Sequence, residues 1–483
     1  MLKFTLLDWQ KEAVDKLLSM TRHLLTVSTG GGKTLMALDL IHRLRRSDAN
    51  WFVVVMCPKS ALVTWETKIP EKSDLTYSIN RLDPSVDINV ISFTHLDDHV
   101  YDLQWVTPEH NSLLIVDEAD ALRSSSSQFA LKMRGGIVQQ DRIMYKIDGF
   151  MSRFKLAYGM SATPLVNHIE DIFYMVETFF PGYFLDMFEH LEGFMDFYTV
   201  RREKKLLNPQ TGRETTIKEV VDFQNIGHLN QVLQPLMYTY TIDYKPNFFF
   251  EECEITDDEW DKYITAGQGY MRESQRTFAG RLPDLQQIVN GSINTDGYPN
   301  LEPVLSSKEG VLVKVLKRIS SKGEGAIVFS FFRSSFKRFR MLSSHLDFEN
   351  YYEMTGSTNN RIKAEIERKL APKEVLFASK VGGVSLNLQA VNNVVFFDLP
   401  WGTGDIIQNL GRITRLDTTY EDLNVWFITA KGTIDKYKTA LISSNMELVR
   451  KVLGGYGFMK AAFKSVKRQS VIELRRSLLW GRR

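Results

Sequence analysis

The stretch LLTVSTGGGKTLMALDL, residues 24 to 40, decides how the chain is read. Its centre follows the phosphate-loop pattern G-x-x-x-x-G-K-[ST], except that Val27 stands where the first glycine is usual. The parts such a loop needs are nevertheless present. Thr29, Gly30, Gly31 and Gly32 offer backbone N–H groups to phosphate, Lys33 supplies a cation and Thr34 a hydroxyl for Mg²⁺. HLLTV before the loop reads as a short strand, and KTLMALDLIHRL after it has apolar residues at helical spacing. The glycines therefore fall between a strand and a helix N-terminus. The plain alternative is a glycine-rich turn followed by a chance Lys-Thr, and a second cluster downstream weighs against it.

That cluster is Asp117-Glu118-Ala119-Asp120, directly after the strand-like SLLIV. Open α/β sheets place ligands at the carboxyl ends of their strands. A strand-end acid there can hold Mg²⁺ and a neighbouring carboxylate can orient the attacking water, so Asp117 is assigned to the metal and Glu118 to the water. A third element is IIQNLGRITRLD, in which Gln408, Arg412 and Arg415 lie at i, i+4 and i+7 and share one face if the segment is helical. Two arginines so aligned suit a polyanion, and a γ-phosphate contacted from that segment would couple hydrolysis to closure of two lobes. Taken alone, the segment reads as an ordinary charged helix face.

The rest of the chain is consistent with this reading. WFVVVMC, INVISF, SLLIVDEAD and KLAYGMSATP in the first third, and GAIVFSFF, EVLFASK, NNVVFFDLP and NVWFITA in the last, alternate with helical patterns and predict parallel sheets covered by helices. The middle is rich in Phe, Tyr and Met. It carries helical patterns such as LNQVLQPLMYTY and a capping-box start, Thr256 to Glu259. The divisions expected are 1–170, 171–303, 304–450 and a basic tail 451–483, with the loop at 290–303 as linker. Length (483 residues), 43% hydrophobic and 24% charged residues are those of a globular chain, and the formal net charge of +2 confines any nucleic-acid surface to local clusters. Cys57 and Cys253 have no ligand-spaced neighbours, which speaks against disulfides and metal clusters. No apolar run is long enough to span a bilayer, and a cytoplasmic location is expected.

Seven ordered blocks carry a family resemblance: LLDWQ (6–10), STGGGKT (28–34), CPKSAL (57–62), DEAD (117–120), SATP (161–164), SKVGGVSLNL (379–388) and QNLGRITR (408–415). The series resembles that of the superfamily 2 helicases. CPKSALVTWETKI, SATPLVNHIEDIFYMVETFFPGYF and VGGVSLNLQAVNNVVFFDLPW are similar to its Swi2/Snf2 branch of double-stranded DNA translocases. RNA helicases that share DEAD generally have P-T-R-E-L-A where this chain has PKSAL (58–62), and His where it has Gln408. The resemblance implies an α/β fold of two RecA-like parallel-sheet lobes in tandem with helical and hairpin insertions, and ATP, Mg²⁺ and DNA as ligands.

It also implies roles. Gln10 would read adenine, Lys33 and Thr34 would hold phosphates and Mg²⁺, and Ser161 and Thr163 would couple the ATP site to the nucleic-acid track. Pro58, Lys59, Ser60, Thr94, Ser379, Gly382, Gly383 and Asn387 would line that track. RLDTTYED after Thr414 lacks the Gly-Gln typical of remodellers. Compactness resembles phage-encoded helicases that remodel branched DNA, which would place the protein in a host cytoplasm as a monomeric motor. Three functions remain open: a helicase or branch-migration motor, a double-strand translocase that displaces proteins, and a non-catalytic DNA-binding scaffold. VRREKKLLNPQTGRETTIKEVV, residues 200 to 221, reads as a basic hairpin able to press on a junction, or as a solvated surface hairpin.

Overall fold

The structure is a computed structural model, and it describes residues 1–99, 103, 105–125, 127–140, 143–162, 168–207, 214–242, 246–271, 275–379, 390–411, 413, 420 and 422–453. Along the chain, β1 (Arg22–Val27), β2 (Phe52–Cys57), β3 (Tyr77–Ile79), β4 (Ile88–Ser92) and β5 (Ser112–Asp117) precede an antiparallel ribbon of β6 (Gly135–Gln140) and β7 (Ile143–Asp148). β8 (Leu156–Ser161) follows, then the paired β9 (Thr199–Leu207) and β10 (Glu214–Phe223), then β11 (Met237–Tyr240). The remaining strands are β12 (Asn247–Cys253), β13 (Ala326–Ser330), β14 (Tyr351–Met354), β15 (Val375–Ser379), β16 (Asn393–Phe396) and β17 (Asn424–Ala430).

These make two parallel sheets, in the orders β11-β1-β8-β5-β2-β4-β3 and β12-β17-β16-β13-β15-β14. The described residues divide into two compact units, one from within 1–199, 223–242 and 451–453, the other from within 200–222 and 243–450. Each unit is an α/β layer structure of the RecA-like kind. In β2, β5 and β13 every residue is buried, as expected of strands covered on both faces, and this is why they appear in the sequence as unbroken apolar runs. In the first unit the helix Lys33–Ser47 turns Met36, Ala37, Leu40, Ile41 and Leu44 inward, and the helix Asp8–Leu18 adds Ala13, Val14 and Leu17. Phe173, Phe184, Phe188 and Tyr198 each pack against Phe194, and buried Glu177 accepts the N–H groups of Gly182, Phe184 and Leu185.

Three sequence expectations are revised. LNQVLQPLMYTY, read as helical, is a helix only over Ile226–Leu233; its end is β11, which pairs with β1 in the first sheet. NFFFEEC, assigned to the connection, is β12, the edge strand of the second sheet. The loop 290–303 lies within the second unit and does not bridge two units. Asn290 is buried there, donating to Asp398 at 3.1 Å and accepting from Lys308 at 3.0 Å, and Lys308 forms a fully buried ion pair with Asp435 at 2.7 Å. Gly, Asn, Asp and Pro mark turns, and a turn can be anchored as firmly as a helix when its polar groups are all partnered. The capping box is as read: Thr256 N–H donates to Glu259 at 2.8 Å and Glu259 N–H to Thr256 Oγ1 at 3.2 Å, ahead of the helix Asp257–Met271.

β1 also carries a cost. His23 is fully buried with neither ring nitrogen hydrogen-bonded among the described residues, and burial lowers its pKa to about 4 from 6.5. Protons therefore bind the unfolded chain first. The neutral ring is tolerated above pH 6.5, and stability falls as pH drops from 6.5 toward 4, by about 1.4 kcal/mol per pH unit from this group. His23→Leu is expected to flatten that part of the pH dependence of urea unfolding relative to the unsubstituted protein. Parallel curves for the two proteins would show that His23 is not the source.

Candidate active site

β1 lies between β11 and β8, and β8 between β1 and β5, so the loops leaving the carboxyl ends of β1, β8 and β5 are neighbours. Register fixes their level: Thr26 is opposite Ser161, and Met160 opposite Asp117. The loop after β1 turns through Gly30 (φ 80°) and Gly32 (φ 82°), and the helix Lys33–Ser47 starts at once. Val27, the departure from the usual pattern, is buried, and a Cβ on Gly31 would meet its Cγ1 at 2.4 Å. The missing side chain at 31 makes the room that a glycine at 27 would otherwise provide. Tyr240 O accepts from Ser28 N–H at 3.1 Å, so β11 braces the loop from its other side.

Gln10 is buried beneath this loop. Its Oε1 accepts from Leu7 N–H at 2.8 Å and its Nε2 donates to Gly31 O at 2.9 Å. A Cβ on Gly32 would come within 2.6 Å of that amide. The carboxamide thus caps its own helix with one end and holds Gly31 of the phosphate loop with the other, a positioning contact beyond the adenine reading that the resemblance implies. Lys33 Nζ donates to Val27 O at 3.0 Å, within the loop.

Asp117 ends β5 and Glu118 follows in the left-handed region (φ 55°), which turns the chain sharply and sets the three acids close together. Burial, followed by the charge of Glu118, pushes the Asp117 carboxyl up to about 6, against the pull of the Trp65 hydrogen bond and Lys33. Asp120 is pushed up to about 7 by burial and Glu118, against its ion pair with Arg123 at 2.8 Å. Ser161 Oγ donates to Asp120 Oδ1 at 3.4 Å, linking the end of β8 to the acid cluster. The residues fit a Mg²⁺-nucleotide. Hard oxygen donors cluster where the Glu118 charge raises the pKa of both Asp117 and Asp120, which a divalent cation relieves, and among the described residues buried Thr29 Oγ1 and Glu118 Oε2 have no hydrogen-bond partner.

The candidate track residues of this unit are also brought together. β2 and β4 are adjacent with Cys57 opposite Ser92, and each strand ends in a single 3₁₀ turn, Lys59–Ala61 and Phe93–His95. Lys59, Ser60 and Thr94 are exposed on those turns and Pro58 is half-buried. In the second unit, Ser379 ends β15 opposite Ser330, and Gln408 is half-buried on the helix Thr403–Leu410. That helix ends at Leu410, and Gly411 and Ile413 lie in turns. Thr163, Gly382, Gly383, Asn387, Arg412 and Arg415, the tip of the basic hairpin and the tail from 454 lie outside the described residues.

Trp65 is a contact that the sequence reading missed. It is fully buried on the helix Leu62–Lys72, and its indole N–H donates to Asp117 Oδ2 at 3.0 Å. A tryptophan on an apolar helix face reads as core, and only its need for a hydrogen-bond partner hints at more.

Comparison with known proteins agrees with this geometry. The SNF2-related domain matches residues 9–242, and the helicase conserved C-terminal domain matches residues 307–417. The ISWI chromatin-remodeling complex ATPase ISW2 of Saccharomyces cerevisiae is 23% identical over 470 residues, which is 89% of this chain and 39% of that protein. The uncharacterized ATP-dependent helicase YqhH of Bacillus subtilis is 22% identical over 487 residues, covering 93% of this chain and 80% of that one. The chain therefore spans well under half the length of the yeast relative. Among solved structures, the Sulfolobus solfataricus SWI2/SNF2 ATPase core in complex with dsDNA matches with 16% identity and a TM-score of 0.40, covering 98% of this chain and 97% of that one. With its phosphate loop and strand-end acids inside the first matched domain, the chain belongs to the Snf2-like branch of the superfamily 2 ATP-dependent helicases.

Proposed function

We propose that this protein is an ATP-driven DNA motor that acts on forked or four-way DNA, exchanging or separating strands at the junction. The observation that carries the motor reading is the convergence of the phosphate loop, the Asp117-Glu118-Asp120 acids and Ser161 on three adjacent strand ends of one sheet. Bound Mg²⁺·ATP supplies the phosphoanhydride and a cation that neutralises charge on the phosphates. Thr34 and Asp117 would hold that cation. The loop N–H groups and Lys33 orient the phosphates, and Glu118 orients a water and takes its proton on a carboxylate oxygen. Lys59, Ser60 and Thr94 present a cation and hydroxyls to a phosphate backbone, a contact without a base-edge code, so binding is expected to weaken with salt and to vary little with sequence.

The preference for branched DNA is supported by the paired β9 and β10, which carry Arg201, Arg202 and Lys218. A monomeric motor in a reducing cytoplasm, with Cys57 and Cys253 as free buried thiols, completes the reading. The second reading, a double-strand translocase that displaces proteins, is favoured by the remodelling ATPase among the relatives. Strand displacement on forked, four-way and blunt duplex DNA separates the two. The proposal expects junction processing that drops when residues 208–212 are replaced by a shorter turn, while ATPase on plain duplex survives. Turnover without processing of any branched substrate would leave the translocase.

A further inference from the structure

Asp117 receives one protein donor on each carboxylate oxygen. Its neighbour Glu118 donates a backbone N–H to Oδ1 at 3.1 Å, and Trp65 donates its indole N–H to Oδ2 at 3.0 Å. The first comes with the turn itself. The second comes from a different element, and that element has a notable origin. Cys57 ends β2, Pro58 to Ala61 form a turn that exposes Lys59 and Ser60, and the helix Leu62–Lys72 begins at the next residue, with Trp65 one turn into it. Trp65 and Ile69 are the buried residues of that helix, while Val63 on its other side is exposed. Displacing the turn at 58–61 therefore moves the indole, and the indole is fixed on Asp117.

We propose that Trp65 is a positioning residue that holds the Asp117 carboxylate in the orientation receiving Mg²⁺ and transmits DNA contact at the Pro58–Ala61 turn to the metal site. The inference rests on the reading of Asp117 as the Mg²⁺ ligand. A carboxylate in a buried site turns about its χ2 bond unless its oxygens are tied, and a ligand whose outer partner is lost typically gives up about 10- to 100-fold in metal affinity. Phe at 65 keeps the ring in the core and removes only the N–H.

The test uses the full chain with Mg²⁺, ADP and a blunt DNA duplex. Trp65→Phe is expected to melt with the unsubstituted protein and to bind ADP in EDTA with the same affinity. The Mg²⁺ concentration that half-saturates the tighter, metal-dependent ADP complex should rise by about 10- to 100-fold. In unsubstituted protein carrying ¹⁵N-tryptophan, the Trp65 indole signal, assigned by substituting the other tryptophans, should shift on adding Mg²⁺·ADP and again on adding duplex. An unchanged Mg²⁺ midpoint in Trp65→Phe overturns the positioning role. An indole signal that duplex DNA leaves in place overturns the transmission. If Trp65→Phe does not fold, the indole signal decides alone, and no shift with Mg²⁺·ADP overturns the proposal. Failure of the functional reading looks different: the unsubstituted protein would then bind no ADP in a Mg²⁺- and Lys33-dependent way.

Discussion

Lys33→Ala is expected to lower ATP hydrolysis by a factor of about 10² to 10³ or more while leaving the fold intact. Lys33 is the sole side-chain cation in the phosphate loop, and its Nζ donates to Val27 O at 3.0 Å. Charge accumulates on the phosphates during transfer, and a fixed cation in a water-poor site stabilises it far more than the same cation in water. Glu118→Gln should behave differently. The amide keeps the shape of the side chain but accepts no proton, so nucleotide should still bind and turn over slowly. Steady-state phosphate release together with ADP titration checks both variants, and near-normal turnover in either would overturn the assignment of this site.

A loss of similar size is expected from Arg412→Ala and Arg415→Ala, confined to the DNA-stimulated part of the turnover. Their spacing from Gln408 motivates the proposal that these are the cations that reach the transferring phosphate, a contribution worth about 10³ to 10⁵ in rate where arginines act that way. Both variants should fold and bind duplex DNA as the unsubstituted protein does. A variant that loses DNA affinity and keeps its turnover would instead make that arginine a track residue.

Much of the site was legible before the fold was seen, and for a physical reason. Parallel strands buried on both faces must be apolar throughout, so FVVVMC and SLLIV announced themselves, and the chemistry follows at their carboxyl ends. Edge strands escape this signal. β11 buries only Met237 fully and β12 only Cys253, so MYTY and NFFFEEC lack an unbroken apolar run. Contacts made in three dimensions were equally hidden. Nothing local to Val27 shows that Gly31 accommodates it, nothing local to Gln10 shows that its amide is held by Leu7 and Gly31, and Trp65 is indistinguishable from a core tryptophan until Asp117 is beside it.

The central claim is that this chain turns ATP hydrolysis into work on DNA, and ATP turnover with and without duplex DNA measures it most directly. The account predicts slow turnover of the protein alone, strong stimulation by duplex of any sequence, and loss of that stimulation as salt is raised. Turnover that is identical with and without DNA, or absent under both conditions, would contradict it.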